Sequence, residues 1–448
     1  MELEILYLNL LIVLLLFLFK KINVIVYLIV FWISIAGNVF FKETYLRLGV
    51  SSFLIFFSYL CLRIFHKNKI NYISYESKAK LTFLFLLFYG FALLLFDVLP
   101  HLDNYTETPV TMQIVNVSGY VFIMYCFIDI LGKIRIDKQT RNGIFLVFVS
   151  TIILQFVSIL AFNLKVLSFL PSVFKSGVFV MDSNFQRYNG LFGDYELIVD
   201  YCMVVIAFSL ILINNDFKIL PIVTFLLAIF VGFASGTRSF LIILLIFFSV
   251  FYFSKIIILK EGGKFIITII SIMFFLLFTF IIWEDKLVYF FSQLSIVQRG
   301  LETLSLLRTT SNFDTLANRD YVDAFKLIFT NLNPLGYGPF EFNVVLGNGM
   351  FSHNVFFAAY VKYGIIGVFL LFFVFYKSVK FLIHEINLKY NRIYTYESIV
   401  FLALVISLFF QEIKISALRT VNSMLIYLLL FVIIFNQKNE HQLKQNTF

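Results

Sequence analysis

Charge is what this chain has least of: 14% of its 448 residues are Asp, Glu, Lys or Arg, while 61% are hydrophobic. A soluble fold needs a hydrated exterior, and at a mean hydropathy of +0.94 no aqueous core could absorb this much apolar surface. Proline is scarce too, with 6 residues, so long helices can run uninterrupted. Cys61, Cys126 and Cys202 all fall inside apolar runs, where a thiol is a small buried group, and neither a disulfide nor a thiolate metal site is expected. The outer loops hold no HExxH, no second His at i+4 and no close Asp-x-Asp pair, so no metal site is expected there. Missing as well is the period-two alternation of an outer-membrane barrel.

What the chain has is apolar runs of roughly 17 to 23 residues, the length a helix needs to cross about 30 Å of hydrocarbon. Spans are expected near 3-19, 22-40, 47-65, 81-99, 112-131, 143-163, 197-213, 219-234, 239-258, 265-283, 354-376, 397-411 and 420-436. The expected fold is an all-α polytopic integral membrane protein with about 12-14 transmembrane helices. The first run lacks a basic start and a small-residue cleavage site, and reads as a retained helix.

Orientation follows from Lys and Arg in the connections. One alternating set of short connections, from Lys20-Lys21 to the tail Lys438 and Lys444, holds 21 of the 35 basic residues and is assigned to the cytoplasm. The net charge of +9 is then mostly a topology signal that also suits anionic lipid, and no basic stripe interleaved with aromatics points to nucleic acid. Four regions result: N-terminal helices (1-163), central helices with outer loops (164-283), a large extracytoplasmic loop carrying short amphipathic helices (284-353), and C-terminal helices with a cytoplasmic tail (354-448). A helix expected over 319-330 sets Val322, Phe325 and Phe329 on one face, as suits an element lying on the bundle or the interface.

Four outer-side arginines stand out: Arg187, Arg238, Arg299 and Arg319. An arginine at a membrane edge snorkels or pairs with a carboxylate, or else it serves function. Arg238 begins a span after Ser235-Gly236-Thr237, where free N-H groups already create positive potential, and Arg319 follows Asn318, an expected N-cap. Cations there are unfavourable unless an anion joins them, so the pair reads as a phosphate clamp. His353, beside Asn354 at a helix start, is either structural or a proton acceptor near neutral pH. Asp97, Asp103 and Glu107 near His101 read as a solvated loop face. Ser352 has no visible triad partners.

Taken in order, Arg187-Tyr-Asn-Gly-Leu-Phe, Ser235-Gly-Thr-Arg238, Arg319, Pro334-Leu335-Gly336-Tyr337-Gly338, His353-Asn354 and Gly364-Ile365-Ile366-Gly367 resemble the motifs of the Wzy/WaaL superfamily of O-antigen polymerases and ligases. The resemblance covers roughly residues 185 to 367. It implies a GT-C-like fold in the bacterial inner membrane and an inverting, metal-independent glycosyltransferase without cofactor, its active site on the periplasmic face. The donor would be an undecaprenyl diphosphate-linked oligosaccharide. Arg238 and Arg319 would hold its diphosphate, and His353 would act as base or orient the acceptor hydroxyl. Arg187 would bind substrate, with Arg299, Tyr337 and Asn354 as further substrate-binding candidates.

The acceptor separates the family's members. A polymerase extends a second lipid-linked repeat unit, and a ligase delivers glycan to lipid A-core. The Phe-, Ile- and Asn-heavy composition favours the polymerase, with membrane lipids and a chain-length regulator as further expected partners. A flippase for the same lipid would instead place charges within its spans around a cavity. Here the charges within the expected spans fall mostly near span ends, Asp97, Asp129 and Asp200 among them.

Overall fold

The structure, a computed structural model, describes residues 2-19, 21-35, 38-41, 46-65, 110-134, 137-163, 179-182, 185-188, 191, 195-216, 219-235, 238-260, 334-336, 355-388, 392-414, 425-430 and 432-433, with 81, 84 and 88 as single positions. Helices dominate. They are α1 (Glu2–Leu18), α2 (Ile22–Ile35), α3 (Val50–Phe65), α4 (Val110–Gly132), α5 (Lys138–Asn163), α6 (Tyr195–Asp216), α7 (Ile219–Ala234), α8 (Arg238–Leu259), α9 (Val355–Leu388) and α10 (Arg392–Lys414). Residues 425-430 form a further helical segment. Among the described residues four helices are long and apolar enough to cross a membrane: Gln139–Leu160, Phe240–Leu259, Tyr363–Leu388 and Ile393–Glu412.

Two short antiparallel hairpins depart from the all-helical expectation. Strands β1 (Asn38–Phe41) and β2 (Leu46–Gly49) pair Asn38 with Gly49 and take the place of the expected ends of spans 22-40 and 47-65. Val39, Phe40 and Phe41 suit a strand. Strands β3 (Phe179–Asp182) and β4 (Phe185–Tyr188) pair Val180 with Arg187 in the connection between α5 and α6.

Helix α6 is central. Every residue from Ile198 to Ser209 is buried, as expected of a helix that is apolar all round. Phe148 of α5 meets Tyr201 and Phe208 edge-on, and Phe208 meets Phe401 of α10 at 5.9 Å. By contrast α8 and α9 each leave one face open, including Leu241, Leu245 and Ile257 on α8 and Phe369, Phe373 and Tyr376 on α9. In a membrane such faces meet lipid. The three cysteines are buried free thiols.

Two ion pairs lie at ends assigned to the cytoplasm by charge. Arg63 reaches Asp129 at 3.4 Å, and Arg141 Nη1 donates to Glu397 at 2.9 Å. Lys255 lies over the rings of Phe251 and Tyr396 at that same end of α10. These pairs bring the end of α3 to that of α4, and the starts of α5 and α10 to the end of α8. The expected connection from Lys377 to Arg392 is mostly helix, since α9 runs on to Leu388. Its lysines lie along the helix over ring faces one turn back, Lys377 over Phe373 and Lys380 over Tyr376, so they leave the apolar surface without ending the helix. Glu397→Ala should leave Arg141 partly buried without its partner and cost about 3-5 kcal/mol, read as a lowered unfolding midpoint in detergent.

Candidate functional site

Helix α9 is two helices. Gly364 (φ 60, ψ −153) interrupts it in a region that essentially only glycine occupies. Phe356, before the break, stacks on Phe372, after it, with ring centroids 4.4 Å apart. On a straight helix those residues would stand about 24 Å apart, so the chain reverses at Gly364. The segment from Val355 to Tyr363 is a returning element, and the span expected at 354-376 enters only after it.

The reversal is clasped by the turn Pro334-Leu335-Gly336. Freed from the helical ladder, Ile365 N-H donates to Pro334 C=O at 3.0 Å. Gly336 (φ 86) lies against Gly364 so closely that a Cβ on Gly336 would stand 2.5 Å from Gly364 N, and one on Gly364 would overlap the backbone of Pro334 and Leu335. Two glycine-containing motifs nearly thirty residues apart in sequence are therefore a single backbone-to-backbone contact.

Phe409 of α10 marks the depth reached by this fold-back, meeting Phe356 at 5.8 Å and Phe375 at 4.7 Å. Helix α8 runs antiparallel to α10, with Phe251 edge-on to Tyr396 at 5.6 Å. Thirteen residues back from Phe251, and thirteen forward from Tyr396, bring Arg238 level with Phe409. Helix α6 is also antiparallel to α10, and eight residues back from Phe208, matched by eight forward from Phe401, bring Asp200 to the same level. The start of α8, the upper part of α6 and the fold-back of α9 thus reach one depth, at the end opposite the two ion pairs.

Local packing fixes the start of α8. Ser235 N-H donates to Val231 C=O at 3.2 Å and its hydroxyl to Gly232 C=O at 2.6 Å, closing α7. A Cβ on Gly232 would overlap the Phe240 ring, so glycine lets the two helices meet just below the turn. Arg238 is the first residue of α8; its side chain is outside the described set.

Beside this level lies a buried acidic pair. Glu412 and Asp200 are 0% and 2% exposed, and the Tyr427 hydroxyl donates to Glu412 Oε1 at 2.9 Å while also interacting with Asp200. Gln411, next to Glu412 in sequence, is buried as well. Asp200 lies near the start of α6, as expected, and is also enclosed by the bundle, because α6 is covered on every side. Sequence reasoning missed Glu412 and Tyr427: ending the span at 411 left Glu412 in a connection. A carboxylate directly after Gln411, on an apolar run, was the signal available.

A second anchor holds the Arg187 motif. Gln155, fully buried on α5, accepts a hydrogen bond through Oε1 from Leu191 N-H at 3.0 Å, and Leu191 is itself buried. Thr151, one turn below Gln155, bonds the Tyr201 hydroxyl. Leu191 is therefore tied about one turn above the level of Asp200. Arg187 is on β4, four residues before it. Nothing in the sequence marked Gln155.

Arg299, Arg319, Tyr337, His353 and Asn354 lie outside the described residues, as do Ser352, Asp97, His101, Asp103, Glu107 and the helix expected at 319-330. Among the described residues no three His, Cys, Asp or Glu side chains form a group able to hold a metal ion. Comparison with protein-family models gives no match, and comparison with curated proteins gives none either.

Proposed function

We propose that this chain is a polysaccharide polymerase of the Wzy type: a multi-pass, GT-C-like glycosyltransferase of the bacterial inner membrane with about thirteen spans. It transfers a growing glycan from undecaprenyl diphosphate to the sugar of a second lipid-linked repeat unit at the periplasmic face. The observation that carries this reading is the convergence at Phe409, where the helix start bearing Arg238 and the returning helix that follows His353 reach the same depth.

In the proposed reaction an acceptor hydroxyl attacks C1 of the donor sugar, the C1-O bond to phosphate breaks, and the diphosphate leaves with the bonding electrons. The configuration at C1 inverts. His353 takes or orients the hydroxyl proton. Arg238 and Arg319 neutralise the charge gathering on the diphosphate, which places binding energy where the transition state needs it, and no metal is required for that charge. Arg187, Arg299, Tyr337 and Asn354 contact the glycan or the phosphates.

Purified protein in detergent, given only its own polyprenyl diphosphate-linked repeat units, should yield a ladder on a gel. Product that forms only after lipid A-core is added would identify a ligase instead. The buried Asp200-Glu412 pair gives a lipid-linked oligosaccharide carrier some support, because intramembrane carboxyls commonly handle protons or ions. Lipid translocation in vesicles without a ladder would establish that reading. His353→Ala should lower turnover by about 100-fold or more near neutral pH, and full activity in that variant would remove the base role. A chelator should leave chain growth unchanged; a reversible loss would require a metal.

A further inference from the structure

We infer that Gln155 is a positioning residue for substrate binding, because it ties the outer loop carrying Arg187 to the bundle directly above the level of Asp200. The inference rests on the polymerase reading only for what Arg187 contacts. The tie itself is geometric. Leu191 is buried, so burying its side chain also takes its backbone N-H from water, and that donor needs an acceptor. Helix α5 offers one through Gln155 Oε1 at 3.0 Å, itself fully buried. A glutamine placed there among Ile152, Ile159 and other buried apolar side chains is unfavourable unless its polar atoms are bonded.

The position of the tie gives it consequence. Leu191 lies between β4, which ends at Tyr188, and α6, which begins at Tyr195. Arg187 therefore sits in a hairpin strand whose exit is pinned four residues on, and it can stand no farther than roughly 14 Å along the chain from the pin. With Leu191 released, the hairpin loses a tie to α5 close to Arg187. Arg187 then samples more positions, and donor binding carries the cost of ordering it.

Two variants remove the bond from opposite sides. Gln155→Met keeps the length of the side chain without the acceptor. Leu191→Pro removes the donor at a position whose 3₁₀ geometry suits the φ of proline. Gln155→Glu retains an oxygen at the acceptor position. Hydrogen exchange at residue 191 in full-length protein should quicken about tenfold in Gln155→Met relative to wild type and return towards wild type in Gln155→Glu. A cysteine introduced by Arg187→Cys should react faster with a charged maleimide when combined with either bond-breaking change.

In turnover, Gln155→Met and Leu191→Pro should each raise KM for the lipid-linked donor about fivefold or more with little change in kcat, and Gln155→Met should add nothing to Arg187→Ala. Unchanged exchange at Leu191 with unchanged maleimide reactivity overturns the tie. Faster exchange with an unmoved KM overturns the positioning role. If wild-type protein makes no polymer, the polymerase reading fails by itself, and exchange with maleimide reactivity still decides whether Gln155 holds the loop.

Discussion

Arg238→Ala and Arg319→Ala should each stop chain growth while expression and membrane insertion stay normal. Removing one preorganised donor to a developing oxyanion costs about 100-fold to 1,000-fold, enough to erase a polymer ladder. Arg238 has a further reason to matter. The first turn of an α-helix has no partners for its N-H groups within the helix, so a guanidinium on the first residue of α8 adds to a positive potential that an anion relieves. Arg238→Lys keeps the charge and loses the planar fork, so it should retain partial activity, well above Arg238→Ala. Ladder gels on quantified membrane protein read all three. A normal ladder from Arg238→Ala or Arg319→Ala would remove the diphosphate clamp.

Gly364→Ala has the second large effect, for a backbone reason. Alanine at φ 60, ψ −153 carries about 1-3 kcal/mol of strain, and its Cβ would also meet the backbone of Pro334 and Leu335. The chain relieves both by moving towards a continuous helix. That parts Phe356 from Phe372 and withdraws Phe356 from the depth of Phe409. Chain growth should fall at least about tenfold and the unfolding midpoint should drop. Ile365→Pro separates two parts of the clasp. It removes the N-H bonded to Pro334 at the first position after the break, where a helix tolerates proline. Its stability cost should be about 1 kcal/mol, smaller than that of Gly364→Ala. Equal activity in Gly364→Ala and wild type would show that the fold-back does not position the site.

Apolar runs, charge-poor composition and the bias of Lys and Arg towards alternate connections decide helix and membrane locally, and the sequence alone made these legible. Helices α1, α4, α6, α7 and α8 agree with the expected spans to within a few residues at most ends. The start of α8 at Arg238 was legible as well, because Ser-Gly-Thr between two apolar runs leaves little choice of where the next helix begins. The hairpins were not, since four-residue strands between long spans give too short a pattern to outweigh neighbouring hydrophobicity.

Tertiary structure alone decided three things about this protein: the reversal at Gly364, the enclosure of Asp200 with Glu412 and Tyr427, and the tie from Gln155 to Leu191. Each joins groups far apart in sequence. Two of them use backbone atoms, which every residue type carries and no pattern announces. The third depends on α6 being covered on all sides, and burial on that scale belongs to the packed bundle, while any single run shows only that it is apolar.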